Sequence, residues 1–183
     1  MNIITTPLEG LLIIEPQVFG DSRGYFMESY NMRTLQAKTG YNVPFIQDNQ
    51  ASSSKNVLRG LHYQNAPTPQ AKFIRVLSGT IWDVVVDIRK DSKTYKQWFG
   101  VELSAENKRQ LLIPHGFAHG YSVLTDNAEV FYKCDNYYDK ASEGGIFYAD
   151  PALGIDWKIN VADAIISDKD KNQPLFKDAV ISF

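Results

Sequence analysis

The sequence predicts an all-β fold, a sandwich or jelly roll, on three observations. Aromatic residues make up 13% of the chain and β-branched residues are frequent, which suits pleated, half-buried surfaces. Short apolar runs recur between turn-forming residues, the punctuation expected of successive strands. Helix signals are sparse, and roughly ten short strands with little helix read as a sandwich or jelly roll.

Taken in chain order, the predicted strands cover 11–14, 25–30, 57–64, 73–78, 81–89, 98–103, 110–113, 116–123 and 129–134. Residues 32–39 are predicted as a short helix stopped by Gly40 at its C′ position. Ser78-Gly79-Thr80 reads as a hairpin turn. Asn49 to Asn56 (NQASSSKN) reads as a polar loop, Asn65 to Gln70 (NAPTPQ) as a proline-stiffened excursion, and Ser167 to Lys177 as a charged tail. No repeat or linker interrupts the pattern, so residues 1–183 read as one domain, long enough to bury a sizeable core.

Composition narrows the function classes. A net charge of −2 and a pI near 5.9 argue against a general nucleic-acid or membrane-surface binder. The single cysteine, Cys134, cannot form an intrachain disulfide and favours a cytoplasmic location. Met1 to Pro16 carries no Lys or Arg, so the basic region of a signal peptide is missing. The longest uncharged run, Gln110 to Thr125, is too short and too interrupted to span a membrane.

Side-chain alternation predicts which residues face inward. In 81–89 the even positions Trp82, Val84, Val86 and Ile88 are apolar while Asp83, Asp87 and Arg89 are odd, so the even face is expected in the core. Lys72 shares its parity with Ile74 and Val76, and Tyr132 with Val130 and Cys134; both are expected to point inward. A buried lysine is costly unless compensated. Lys72 either awaits an anion, bound or formed in a reaction, or snorkels from the start of its strand; alternation leaves both readings open. His62 stands among the cations Arg59, Lys72 and Arg75. Arg59 and His62 have opposite parity, so both face inward only if Gly60 carries a bulge.

The spacing Pro-x-Gly-x-x-His in IPHGFAH resembles the second motif of the cupin superfamily. The first cupin motif supplies His-x-His and a Glu; here Gln64 and Lys72 stand at two of those positions, and a charged lysine repels a cation. The resemblance implies a cupin-type jelly-roll β-barrel with a few short helices and no metal.

Longer stretches resemble one family within that superfamily. GDSRGYFMESY (20–30), FIQDNQASSSKNVLRGLHYQ (45–64), PQAKFIRVLSGTIWDVVVDIRKDS (69–92), IPHGFAHGYSVL (113–124), EVFYKCDNYY (129–138), SEGGIFYADPALGIDW (142–157) and ISDKD (166–170) are similar, in order, to the dTDP-4-dehydrorhamnose 3,5-epimerases. The resemblance implies a cofactor-free isomerase acting on a dTDP-linked 4-keto-6-deoxy sugar. The C4 ketone acidifies the hydrogens at C3 and C5. Removing one gives an enolate, and reprotonation from the other face inverts the carbon. That needs a base, an opposing acid and a cation beside the enolate oxygen.

By resemblance His62 is the base, paired with Asp170, Tyr132 is the acid, and Lys72 sits beside the C4 oxygen. Also by resemblance, Arg23 and Glu28 belong to an N-terminal arm that reaches a neighbouring subunit's site in a homodimer. Gln47, Asp48 and Asn49 are expected near the nucleotide, Arg59 at the diphosphate, Tyr138 stacked on thymine, and His119, Glu143 and Lys169 as further contacts. Asp168, in the same ISDKD motif, is the competing partner for His62. Rival readings are an epimerase acting at one carbon or on another nucleotide sugar, a metal-dependent cupin oxygenase, and a non-catalytic sugar-nucleotide binder.

Overall fold

A computed structural model describes all 183 residues. In chain order the strands are β1 (Asn2–Thr5), β2 (Leu12–Glu15), β3 (Val18–Asp21), β4 (Gly24–Met27), β5 (Gln47–Ser54), β6 (Leu58–Gln64), β7 (Lys72–Ser78), β8 (Thr80–Asp87), β9 (Trp98–Ser104), β10 (Gln110–Ile113), β11 (Phe117–Val123), β12 (Asn127–Cys134) and β13 (Glu143–Gly145). Two short helices accompany them, α1 (Met32–Thr39) and α2 (Asp168–Lys171). No helix is long and apolar enough to cross a membrane.

The expected β architecture is present as two antiparallel sheets facing each other in a jelly-roll sandwich. One sheet has the order β1-β2-β10-β7-β12-β5, the other β13-β6-β11-β8-β9, and β3-β4 form a separate hairpin. Between the sheets lies a core of Ile13, Ile74, Val76, Ile81, Val85, Leu111 and their neighbours. A second core lies on the outer face of the five-stranded sheet, where Ile146, Leu153, Trp157 and Phe176 of the C-terminal segment cover Leu58, Leu61, Val84 and Val86. Fully burying such side chains contributes about 1.5–3 kcal/mol each. The segment is also tied by backbone, with Ile165 N–H donating to Asn56 O at 2.9 Å and Leu58 N–H to Ile165 O at 3.1 Å.

Helix α1 runs over the predicted residues. Asn31 caps it by accepting from Thr34 N–H, and Gly40 ends it in the left-handed conformation. Its one buried side chain, Leu35, packs on Ile14, Phe73 and Leu112 on the outer face of the six-stranded sheet.

Three expectations are corrected. Most of the polar stretch 49–56 is strand, part of β5. It is an edge strand paired only with β12, and its alternation sets polar against polar, so hydrophobic periodicity misses it. Ser78-Gly79-Thr80 is not a hairpin: β7 and β8 belong to different sheets, and the turn is a corner between them. The even face of β8 is not its only core face. Both faces are buried, the odd one toward the space between the sheets, where Asp83 is fully enclosed.

Candidate active site

At one end of the inter-sheet space, two cavity lobes of about 170 Å³ and 220 Å³ share the side chains of His62, Lys72 and Tyr132. Gln47, Asn49, Tyr138 and Glu143 line the first lobe, and Arg59, His119 and Tyr121 the second.

Strand β6 presents Arg59 and His62 to the same cavity, and the condition for that, a bulge at Gly60, is met. His119 stands opposite His62 and Tyr121 opposite Arg59, so two residues of β6 face one of β11. Gly60 sits at φ +123°, and a Cβ there would come within 2.6 Å of the Gly120 Cα. Only glycine allows the two backbones to cross this closely.

His62 Nε2 lies 2.6 Å from Asp170 Oδ1. Asp170 is presented by α2, where its N–H donates to the Ser167 hydroxyl, and its Oδ2 accepts the Gly60 N–H at 3.2 Å. Burial pushes the Asp170 carboxyl up, but hydrogen bonds from His62, Gly60 and Ser167 outweigh this and hold it below its ordinary value. An ionised Asp170 fixes the shared proton on Nε2 and leaves Nδ1 with its lone pair. Asp168, by contrast, is exposed and pairs with Lys171 at 3.3 Å.

Lys72 opens β7, whose start is fixed by Ala71 N–H donating to Asp135 Oδ1 at 2.7 Å. Burial pushes its ammonium below the usual range, while Cys134, Asp83 and Glu143 push back. It forms no salt bridge, so its charge faces the cavity uncompensated at contact distance. Burial raises the Tyr132 hydroxyl to about 12, which keeps it protonated and able to donate. His119 Nε2 meets both oxygens of Asp83, at 2.9 and 3.0 Å, with both residues buried. Desolvation outweighs Asp83 and lowers the His119 pKa.

The rim is organised by amides. Gln64 donates to the Thr68 and Tyr137 carbonyls and accepts the Asp139 N–H at 3.0 Å. Its amide thereby pins the loop that carries Tyr138. Gln47 accepts the Tyr138 N–H at 2.9 Å and donates to Asn49. Tyr138 donates to Glu143 at 3.3 Å, and Lys169 pairs with the same carboxylate. No three His, Cys, Asp or Glu side chains converge as a metal-ligand set.

Three expected site residues do not line this cavity. Asp48 is on the outer face of β5, paired with Lys133 at 2.8 Å, because β-strand alternation sends it opposite to Gln47 and Asn49. Arg23 sits in the solvent-exposed β3-β4 hairpin, bonded to Asp21, and Glu28 accepts from Asn31; neither lines this chain's own cavity. Conversely, sequence reading passed over Asp83 and Tyr121. Alternation in β8 places Asp83 on the outward face, and Tyr121 carries only the signal of sharing parity with His119.

Comparison with known proteins gives concordant results. The family model described as dTDP-4-dehydrorhamnose 3,5-epimerase matches residues 5–178. The dTDP-4-dehydrorhamnose 3,5-epimerase of Shigella flexneri is 51% identical over 179 residues, 98% of each chain. The crystal structure of the enzyme of that name from Elizabethkingia anophelis superposes with a TM-score of 0.94 at 52% identity, covering 97% of each chain. That of a dTDP-6-deoxy-D-glucose-3,5-epimerase from Legionella pneumophila, in complex with dTDP-4-keto-L-rhamnose, gives 0.92 at 48% identity, covering 96% of this chain and 93% of that one.

Proposed function

The chain belongs to the dTDP-4-dehydrorhamnose 3,5-epimerase family, and we propose that it inverts C3 and C5 of its dTDP-linked 4-keto sugar with His62 as base and Tyr132 as acid. The observation that supports these roles most is the shared wall of the two lobes, where a carboxylate-bound histidine, an unpaired lysine and a protonated tyrosine come together. The His62 Nδ1 lone pair takes the proton α to the ketone, and Asp170 stabilises the imidazolium. The negative charge moves to the C4 oxygen, where Lys72 supplies the cation. Tyr132 returns a proton on the opposite face. These steps use no redox group and route nothing through a metal.

Arg59 donates to Ser53 Oγ and has no carboxylate partner, so its charge is available to the diphosphate. Gln47, Asn49, Tyr138, Glu143 and Lys169 form the nucleotide-side rim, and His119 borders the sugar. Arg23 and Glu28 act in a homodimer, from a hairpin whose Phe19, Tyr25 and Phe26 are exposed in the single chain.

The test is incubation with dTDP-4-dehydro-6-deoxyglucose in D₂O, followed by NMR at C3 and C5. Tyr132→Phe is expected to exchange hydrogen for deuterium while forming little inverted product. Inversion at the wild-type rate would show that Tyr132 is not the acid. For the dimer, mixing Arg23→Ala with His62→Ala chains is expected to restore activity that neither has alone; no restoration means that each site is self-contained.

A further inference from the structure

Lys72 lines both lobes of the cavity. Its charge is met only through space, by Cys134, Asp83 and Glu143, with no hydrogen bond among them, so its place is set by its backbone. That backbone is the last rung of two ladders: Lys72 pairs with Ile113 at the end of β10 and with Cys134 at the end of β12. Strand ends open at low cost. A frayed start to β7 would let the lysine snorkel its ammonium to water and escape the cost of burial. One side chain stands against that. Asp135 follows β12, is buried, and its Oδ1 accepts the N–H of Ala71, immediately before Lys72, at 2.7 Å. The return bond from Asp135 N–H to Ala71 O is stretched to 3.4 Å, so the side chain makes the closer tie. One residue further out, the Gln70 amide donates to Asn136 O at 2.7 Å.

Asp135 is itself held. Tyr41 donates to its Oδ2 at 2.7 Å, and His115 Nε2 lies 2.7 Å from the same oxygen, off the line of a hydrogen bond. Burial pushes the Asp135 carboxyl up, but its contacts with His115, Tyr41 and Ala71 outweigh this and hold it below its ordinary value. It therefore accepts as an anion, the stronger form of the bond. None of the roles above uses this cluster. We propose that Asp135 is a positioning residue for Lys72: by holding the Ala71 N–H it keeps the first rung of β7 closed and the ammonium in the cavity, where the C4 oxygen takes up negative charge. The inference rests on the reading of Lys72 as the cation beside that oxygen. The ground-state ketone carries little charge, so the effect belongs to enolate formation and not to substrate binding. Exchange and inversion both pass through the enolate and are affected together.

Asp135→Ala removes the acceptor. Deuterium exchange into substrate and inversion are expected to fall in parallel at C3 and C5, about tenfold, the scale of one lost hydrogen bond to a charged group, with KM unchanged. Backbone amide exchange over residues 71–74 is expected to quicken. Asp135→Asn keeps an oxygen for the Ala71 N–H and is expected to recover most of both losses. The double variant Asp135→Ala/Lys72→Met is expected to be no slower than Lys72→Met, because a residue that acts through Lys72 then has nothing to act on. Wild-type rates in Asp135→Ala, a rise in KM with kcat unchanged, an Asp135→Asn variant as slow as Asp135→Ala, or additive losses in the double variant would each overturn the inference. Should Asp135→Ala fail to fold, Asp135→Ser, whose hydroxyl falls one bond short of the Ala71 N–H, is read in the same way. If Lys72→Met is slow and Asp135→Ala is not, only this inference falls. If Lys72→Met runs at the wild-type rate, the assignment of Lys72 falls with it.

Discussion

His62 and His119 stand opposite each other on β6 and β11, and each meets an aspartate through Nε2 within 3.0 Å. Their surroundings divide them. The His62 side chain is 31% exposed and that of His119 is 8% exposed. Asp170 arrives from outside the sheet on α2, whereas Asp83 projects from β8, beside β11. Burial lowers the His119 pKa in spite of its carboxylate, which favours the neutral ring in this enclosed pair. His62 faces the cavity, where the proposed base has access to substrate. A histidine–aspartate pair is therefore not a base by composition; access to the proton makes it one.

The largest expected effect separates the two histidines. His62→Ala should lower exchange at both C3 and C5 by about 10²–10⁴-fold, the usual contribution of a general base. His119→Ala should mainly raise KM. Retained exchange at one carbon in His62→Ala would break the single-base mechanism, and equal losses in the two variants would erase the distinction between the pairs.

Asp170→Asn comes next. Without the carboxylate the tautomer is no longer fixed and the imidazolium is no longer stabilised. Exchange should fall roughly 10–10³-fold with substrate binding kept. Asp168→Asn, measured alongside, should match wild type; the reverse outcome would reassign the partner.

Asp87, on the same strand as Asp83, sharpens the comparison because its network involves no histidine. Burial raises its carboxyl, but Arg89, Ser92 and Thr94 outweigh that and hold it at about 2. A folded value below the unfolded one, about 3.9, contributes stability above about pH 4 that is lost as pH falls toward the folded value. Asp87→Asn should therefore cost about 2 kcal/mol in urea unfolding at pH 7, a gap that closes near pH 2, with kcat unchanged.

The smallest expected effect is on Asp83. Asp83→Asn keeps a hydrogen-bond acceptor for His119 but removes charge near Lys72. A several-fold rise in KM is expected, of the order of one weakened buried hydrogen bond, with the ratio of exchange to inversion unchanged. A changed ratio would give the buried pair a part in proton transfer.

The sequence made part of this site legible. Alternation alone turned Lys72 and Tyr132 inward, because β7 and β12 carry apolar residues on the same face as each. One conflict of parity, between Arg59 and His62, makes a bulge at Gly60 the condition for both to face inward. What stayed hidden has identifiable causes. β5 presents Gln47 and Asn49 from a strand without an apolar face, so only its pairing with β12 reveals it. Asp83 escapes alternation because burial on both faces of β8 defeats a rule built for half-exposed strands. The corner at Gly79 uses the same residues as a hairpin turn, and only the partners of β7 and β8 tell the two apart. The meeting of Asp170 with His62 joins positions 108 residues apart, which no local pattern encodes.

The C-terminal segment that covers the five-stranded sheet also carries Asp170, whereas His62, Lys72 and Tyr132 belong to the sheets themselves. With Asp170 in its proposed role, catalytic competence depends on the docking of this segment as well as on the folding of the sheets. Opening the part of the segment from Trp157 onward breaks the contacts of Trp157 and Phe176 over the second core and the backbone bonds of Ile165, and leaves the strand ladders intact. Such partial openings cost less than complete unfolding. On heating, activity should then decline before the β-sheet signal in circular dichroism, and the working lifetime should follow how firmly this segment stays fastened.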